Sequence, residues 1–297
     1  MRIAVVGQPG GWSTERLAAA LRDAGATVIV VDLTSCSMRL PDPRLWIAGE
    51  PLSGLSAVVV KKIGDTADGW IVQERITMLR HLAASGVPVF SAPDQLEAAV
   101  NRSRMTIELV RAGVPVPETV VTEDPMEAQA AVERFGTAVL KPLFTSKGRG
   151  MQRLDPSLDL KAFFSRPQAR DTGPFYLQRF VKHPGRDLGV AVLDGRYLGA
   201  YWRVARDKQW MTTILSGGRY EPASPPAHAI ELALRAARHF GLIFTGVDLI
   251  EDDGGGFTVL EVSAFGGFRG LLASSGIDAA PALAAAVLRR LRDEVAA

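Results

Sequence analysis

The 297-residue sequence predicts a parallel α/β domain followed by a largely antiparallel α+β half. Two observations carry this. As far as Phe90, short β-branched runs alternate with helix-periodic segments. Beyond it, strand-like runs crowd together and are joined by turns such as Asp194-Gly195, the pattern of hairpins.

Taken in order, residues 2–7 (RIAVVG) form a strand that stops at glycine, Leu17, Leu21 and Ala24 share one helix face, and residues 27–31 form the second strand. A strand at 55–60, a helix at 71–84 and a strand at 87–90 continue the alternation, so a first domain is expected over 1–92. A helix from about Arg102 ends at Gly113, because Val114-Pro115-Val116-Pro117 cannot extend it. Asp124, Pro125 and Glu127 supply the cap, first position and acidic first turn of a helix that Gly136 closes. A strand at 138–141 precedes a glycine-rich loop at 143–150, and strands follow near 176–181, 188–193 and 197–204. A helix at 228–240 leads into strands 246–250 and 257–263, joined through Asp252-Asp253-Gly254-Gly255-Gly256. A last helix carries Leu283, Val287, Leu291 and Val295 at four-residue spacing, and the second half is expected to divide at 93–178 and 179–297.

Composition narrows the function. Lys plus Arg number 34 against 32 Asp plus Glu, a net charge of +2 that leaves no footprint for nucleic acid. A single cysteine, Cys36, excludes an internal disulfide and a thiolate cage, and fits a reducing compartment. With no secretory h-region and no membrane-length apolar run, a cytoplasmic protein without a membrane partner is expected.

The strongest chemical signal lies on the last hairpin. Asp248 in VDLI and Glu261 in LEVS are carboxylates inside apolar strands, and period-2 alternation puts Ser263 on the face of Glu261. Facing carboxylates call for a hard cation such as Mg²⁺, unless they sit on a solvated sheet face. The run Phe144-Thr145-Ser146-Lys147-Gly148-Arg149-Gly150, after Lys141, suits a polyphosphate cradle; an ordinary mobile turn is the alternative, and it is no Walker loop. Lys61-Lys62 at a sheet's carboxyl edge suits an acidic substrate or a solvated lysine pair. Gly7-Gln8-Pro9-Gly10-Gly11 lacks the dinucleotide spacing, so a nicotinamide-dependent oxidoreductase is the poorest of the classes weighed.

Ordered matches span nearly the whole chain: Trp12-Ser13-Thr14-Glu15-Arg16-Leu17, Lys62-Ile63-Gly64, Asn101-Arg102-Ser103-Arg104, Lys141 with loop 146–150, Gln178-Arg179-Phe180-Val181, Gly185-Arg186-Asp187, Gly246-Val247-Asp248-Leu249, Leu260-Glu261-Val262-Ser263, and Ser275-Gly276-Ile277-Asp278 opening the final helix. With these the sequence resembles the ATP-grasp ligases, and is most similar to the ribosomal-protein-modifying α-L-glutamate ligases and their glutathione-synthetase-like relatives. The resemblance implies an ATP-grasp fold behind a Rossmann-like pre-ATP-grasp domain. It implies a carboxylate–amine ligase that works through an acyl phosphate, using ATP with Mg²⁺ or Mn²⁺, on an amino acid and a small-molecule or peptide acceptor. Such ligases often form homodimers or homotetramers.

The resemblance also distributes roles. Arg104 and Lys141 would contact the ATP phosphates under a loop formed by Ser146, Lys147 and Gly148; Gln178, Arg179 and Phe180 would line the adenine pocket, and Asp187 would lie near the nucleotide. Asp248, Glu261 and Ser263 would hold the metal, Arg203 would stabilise the transferring phosphoryl group, and Arg16, Lys62, Thr213 and Arg269 would face the substrates. Several positions depart from the pattern. Ser263 replaces an Asn, Arg104 a Lys, Arg179 a Glu and Gly189 an Arg, while Ala264 to Gly270 replaces a Ser-Pro-Gly-Leu-Glu-Gly run. A regulatory nucleotide-binding protein that has lost catalysis is therefore the competing expectation.

Overall fold

The structure, a computed structural model, describes residues 1–41, 43–64, 68–166, 173–207, 209–252 and 254–296. The chain opens with β1 (Arg2–Val6), α1 (Trp12–Asp23) and β2 (Thr27–Val31). A small antiparallel sheet follows, made of β3 (Cys36–Arg39), β4 (Arg44–Ile47) and β5 (Glu50–Pro51). Its strands are only two to four residues long, too short for their alternation to stand out in the sequence. Then β6 (Ala57–Val60), α2 (Gly69–Ala84) and β7 (Val89–Phe90) complete a parallel sheet in the order β2-β1-β6-β7. Every residue of β6 is buried, as a strand covered on both faces requires.

Two helices bridge to the second half, α3 (Pro93–Val100) and α4 (Arg102–Arg111). Asn101 ends the first and caps the second, its side chain accepting from the Arg104 N–H. Next come β8 (Thr119–Thr122), α5 (Pro125–Phe135), β9 (Ala138–Leu140), β10 (Gln152–Leu154), α6 (Leu160–Ser165) and β11 (Phe175–Arg179). They form an antiparallel sheet in the order β10-β9-β11-β8. The boundary expected between 178 and 179 falls inside β11, because Arg179 still pairs with Ala138.

The remainder is a five-stranded sheet with helices on both faces. Its strands are β12 (Arg186–Leu193), β13 (Arg196–Val204) and β14 (Arg219–Pro222), then, after α7 (Ala227–Phe240), β15 (Phe244–Glu251) and β16 (Phe257–Val262). The order β14-β13-β12-β15-β16 is antiparallel throughout. Alternation sorts the two faces: Leu188, Val190, Val192, Val247 and Leu249 join the core under α7, which leaves Asp187, Gly189 and Asp248 on the opposite face. Two helices close the chain, α8 (Arg269–Ser275) and α9 (Ala279–Ala296). Ser275-Gly276-Ile277-Asp278 thus links two helices instead of opening the last one, since Gly276 takes a left-handed conformation at φ +71°. Asp253 of the expected turn, and the side chain of Val295, lie outside the described residues. No helix among the described residues is long and apolar enough to cross a membrane.

Candidate active site

The site is built on the open face of the five-stranded sheet. Asp248 stands directly opposite Glu261. Counting back from the hairpin turn would place Leu260 there, but a bulge between Asp248 and Leu249 absorbs Leu260 and brings Glu261 onto the same face. Ser263, whose N–H donates to the Gly246 carbonyl, continues that face past the end of β16. On the next strands Arg203 pairs with Asp187 in the sheet register. Its guanidinium binds the Asp187 carboxylate and lies 2.8 Å from Asp248. Burial and the neighbouring Asp187 and Glu261 charges push the Asp248 carboxyl up to about 6, against the pull of Arg203.

Lys141 enters from the other sheet. It follows β9 directly and is buried, with Nζ donating to Gln178 Oε1 at 2.5 Å. Gln178 is fixed in turn, its amide donating to Thr119 Oγ1 at 3.1 Å and to the Tyr176 hydroxyl at 3.2 Å. Burial, with the Arg102 charge adding to it, lowers the Lys141 ammonium to about 7, while Glu261 and Asp248 oppose the shift. Gln178 therefore holds Lys141 through its side-chain amide.

Arg102, a residue that sequence reasoning passed over, completes the inner ring. It is buried at the start of α4 and donates to the carbonyls of Pro142 and Thr145 and to Glu261 at 3.2, 2.9 and 3.2 Å. One guanidinium thus ties the glycine-rich loop to a metal-candidate carboxylate. Arg104, two residues on, is turned outward and pairs with Glu97 at 2.8 Å. Arg179, also expected beside the adenine, is exposed, bonded to Glu118 at 2.5 Å and stacked over Phe135. Phe180 turns the other way, into a ring cluster with His183 and Trp210.

The loop itself is held by short-range bonds, Thr145 Oγ1 donating to the Arg149 carbonyl and Arg149 reaching back to Ser146. Lys147 is exposed at φ +61°, and Gly148 packs so closely on Thr213 that a Cβ there would stand 3.0 Å from its methyl group. A cleft beside the loop is lined by Lys62, Arg102, Phe144, Thr145, Glu261 and Ser263. Farther along the rim, Arg16 and Arg269 both lie over the Trp12 ring, 5.3 and 4.9 Å from its centroid. Arg16 is paired with Asp278, and Lys62 donates to Gln8. Lys61 is no solvated partner of Lys62: it is buried, with Nζ 2.5 Å from the Gly266 carbonyl and 4.5 Å from the centre of the Phe268 ring.

Two carboxylates and a hydroxyl are a hard-oxygen donor set, which fits Mg²⁺. Among the described residues no third carboxylate, thiolate or imidazole joins them. A cation held there would keep positions for phosphate oxygens and water, the habit of Mg²⁺ at nucleotide sites. Lys141, Arg102 and Arg203 against Asp187, Asp248 and Glu261 make the inner ring formally neutral before any ligand enters.

The family models agree with this architecture. Residues 1–96 match the RimK pre-ATP-grasp domain and residues 99–287 match the RimK-like ATP-grasp domain. The fold is thus that of the ATP-grasp carboxylate–amine ligases. Within that class, the chain belongs to the RimK-like family. It is 32% identical to a tetrahydromethanopterin:α-L-glutamate ligase of Methanosarcina acetivorans, over 92% of this chain and 94% of that one. A RimK-domain ATP-grasp protein of Sphaerobacter thermophilus superposes with a TM-score of 0.77 at 21% identity, covering 96% of this chain and 98% of that one. The ATP-grasp ligase PsnB, solved with a precursor variant, Mg and ADP, superposes at 0.75 with 22% identity over 97% and 98% of the two chains.

Proposed function

We propose that this protein is an ATP-dependent ligase that joins the amine of L-glutamate to a carboxylate on a small acceptor carrying several anionic groups. The observation that carries the proposal is the neutral ring in which Arg203 lies between Asp187 and Asp248, with Glu261 opposite and Lys141 close by. A carboxylate oxygen of the acceptor attacks the γ-phosphorus of ATP, and the bond from phosphorus to the ADP oxygen breaks. The amine nitrogen then attacks the acyl carbon, the bond from carbon to the phosphate oxygen breaks, and the amine proton leaves to solvent with the phosphate.

Each charged residue has a place in this chemistry. Lys141 and Arg102 bind phosphate oxygens, and the loop of Ser146, Lys147 and Gly148 covers them. Arg203 sets fixed positive charge where the phosphoryl group and then the oxyanion develop negative charge. Asp248, Glu261 and Ser263 would hold Mg²⁺, replaceable by Mn²⁺, whose chemistry when bound is to neutralise phosphate oxygens as a Lewis acid. Arg16, Lys62, Thr213 and Arg269 face the substrates, and the excess of cations among them favours an anionic acceptor. The relative from Methanosarcina acetivorans, named as a tetrahydromethanopterin:α-L-glutamate ligase, makes a tetrahydromethanopterin-like compound the first acceptor to try. These steps suit the cytoplasm, where ATP is supplied.

The test is ADP release from Mg-ATP across a matrix of amino acids and carboxylate acceptors, with product masses read by mass spectrometry. The expected result is a mass gain of one glutamate residue, abolished in Asp248→Asn and in Glu261→Ala. Tight ATP binding without acyl phosphate trapped by hydroxylamine, across the whole matrix, would turn the assignment to a regulatory nucleotide-binding protein.

A further inference from the structure

Tyr201 is wedged between two glycines from different elements. On one side lies Gly189 of β12, its register partner, where an added Cβ would stand 2.6 Å from the phenol ring and 2.9 Å from the hydroxyl oxygen. On the other lies Gly270 of α8, where an added Cβ would overlap the ring. The ring therefore lies across Gly189, and its hydroxyl end extends over that residue toward Asp248, the partner of Gly189 on the next strand. Arg203 is two residues along the same face, and Tyr220 meets Tyr201 edge-on at 5.3 Å.

Phenylalanine would fill this space as well, so packing accounts for the ring and leaves the oxygen unexplained. Tyr201 is only 8% exposed, and no hydrogen bond joins its hydroxyl to another described residue, yet the oxygen is not sealed from solvent. This oxygen stands over Gly189, on the sheet face that carries Arg203 and Asp248, in room that exists because residue 189 has no side chain. Burial also pushes the phenol up, which keeps its proton in place as a donor.

Resting on the ligase function proposed above, we propose that Tyr201 is a further catalytic residue, its hydroxyl donating a hydrogen bond to an oxygen of the phosphoryl group as it passes to the acceptor carboxylate. Gly189 and Gly270 are the positioning residues that hold the ring in place. The donor is neutral and fixed, so it favours the anion that forms without attracting free phosphate as a second arginine would.

The experiment compares wild type with Tyr201→Phe for binding of Mg-ADP alone and of Mg-ADP with tetrafluoroaluminate as a mimic of the transferring phosphoryl group. The expected result is unchanged Mg-ADP affinity, fluoroaluminate affinity weakened at least tenfold, and an unchanged melting temperature. In ligation the same variant loses roughly 10- to 100-fold in kcat, the scale of one preorganised donor, with KM for ATP unchanged. A 3-fluorotyrosine at position 201 reports independently, its fluorine resonance shifting with the fluoroaluminate complex and not with Mg-ADP. Equal fluoroaluminate affinity in the two proteins, or a silent resonance, overturns the role of Tyr201. Wild type that binds the mimic through Tyr201 but ligates no carboxylate leaves this contact standing and removes the ligase assignment instead.

Discussion

Arg102 occupies the first position of a helix, where the macrodipole disfavours a cation by about 0.3–1 kcal/mol. The first turn of α4 holds two arginines and no acid, an arrangement that calls for anions nearby. Glu97 satisfies Arg104 on the outside, and Glu261 satisfies Arg102 on the inside. Arg102→Met is therefore expected to weaken Mg-ADP binding roughly tenfold or more, as for a charge-assisted contact of about 1.5–3 kcal/mol, while Arg104→Met stays near wild type. Isothermal titration of both variants decides it, and the reverse ranking would exclude the inward role of Arg102. The sequence singled out Arg104 on this turn, whereas the structure directs Arg102 to Glu261 and Arg104 to Glu97. Which of two residues on a first turn faces inward depends on how α4 docks against Leu143 and β16, a tertiary fact. Gln178 is a similar case, because its bond to Lys141 depends on how β9 and β11 pair and cannot be read from its own neighbours in sequence.

At the scale of elements, the carboxyl end of β6 meets the segment leading into α8 through Lys61. This ammonium is lowered to about 7 by burial and by the adjacent charge of Lys62. The unfolded chain holds the same proton up to about pH 10.4, so between pH 7 and 10.4 the unfolded state binds more protons and stability rises with pH. Lys61→Met removes that dependence. The melting temperature of wild type minus that of the variant should accordingly grow from pH 7 to pH 9.5, and a flat difference would show that Lys61 is not held in this environment. Elements with strong periodicity were legible beforehand: the parallel strands, the α7 pattern, and the hairpin carrying Asp248 and Glu261. The small sheet β3–β5 was not, since its strands are only two to four residues long, too short for a pattern to stand out, and the bulge at Leu260 leaves no mark in composition.

At the scale of the molecule, the two halves share a core. The helix α9 returns to pack on α1, and Leu283, Val287 and Leu291 are buried in one cluster with Ile3, Val5, Leu17 and Leu21. Three such side chains stabilise the fold by roughly 5–9 kcal/mol at about 1.5–3 each, comparable with the whole stability of an ordinary domain. The full chain should melt in a single transition, and residues 1–96 expressed alone should stay unfolded or aggregate; a soluble 1–96 fragment with a cooperative melt would contradict the shared core. The same return of α9 sets a timetable for synthesis. The parallel sheet leaves the ribosome first, but its cover is translated some 200 residues later, about 10–40 s at ordinary elongation rates. For that interval a nascent chain carries a bare apolar face, so its yield in a cell depends on what shields that face while the rest is made.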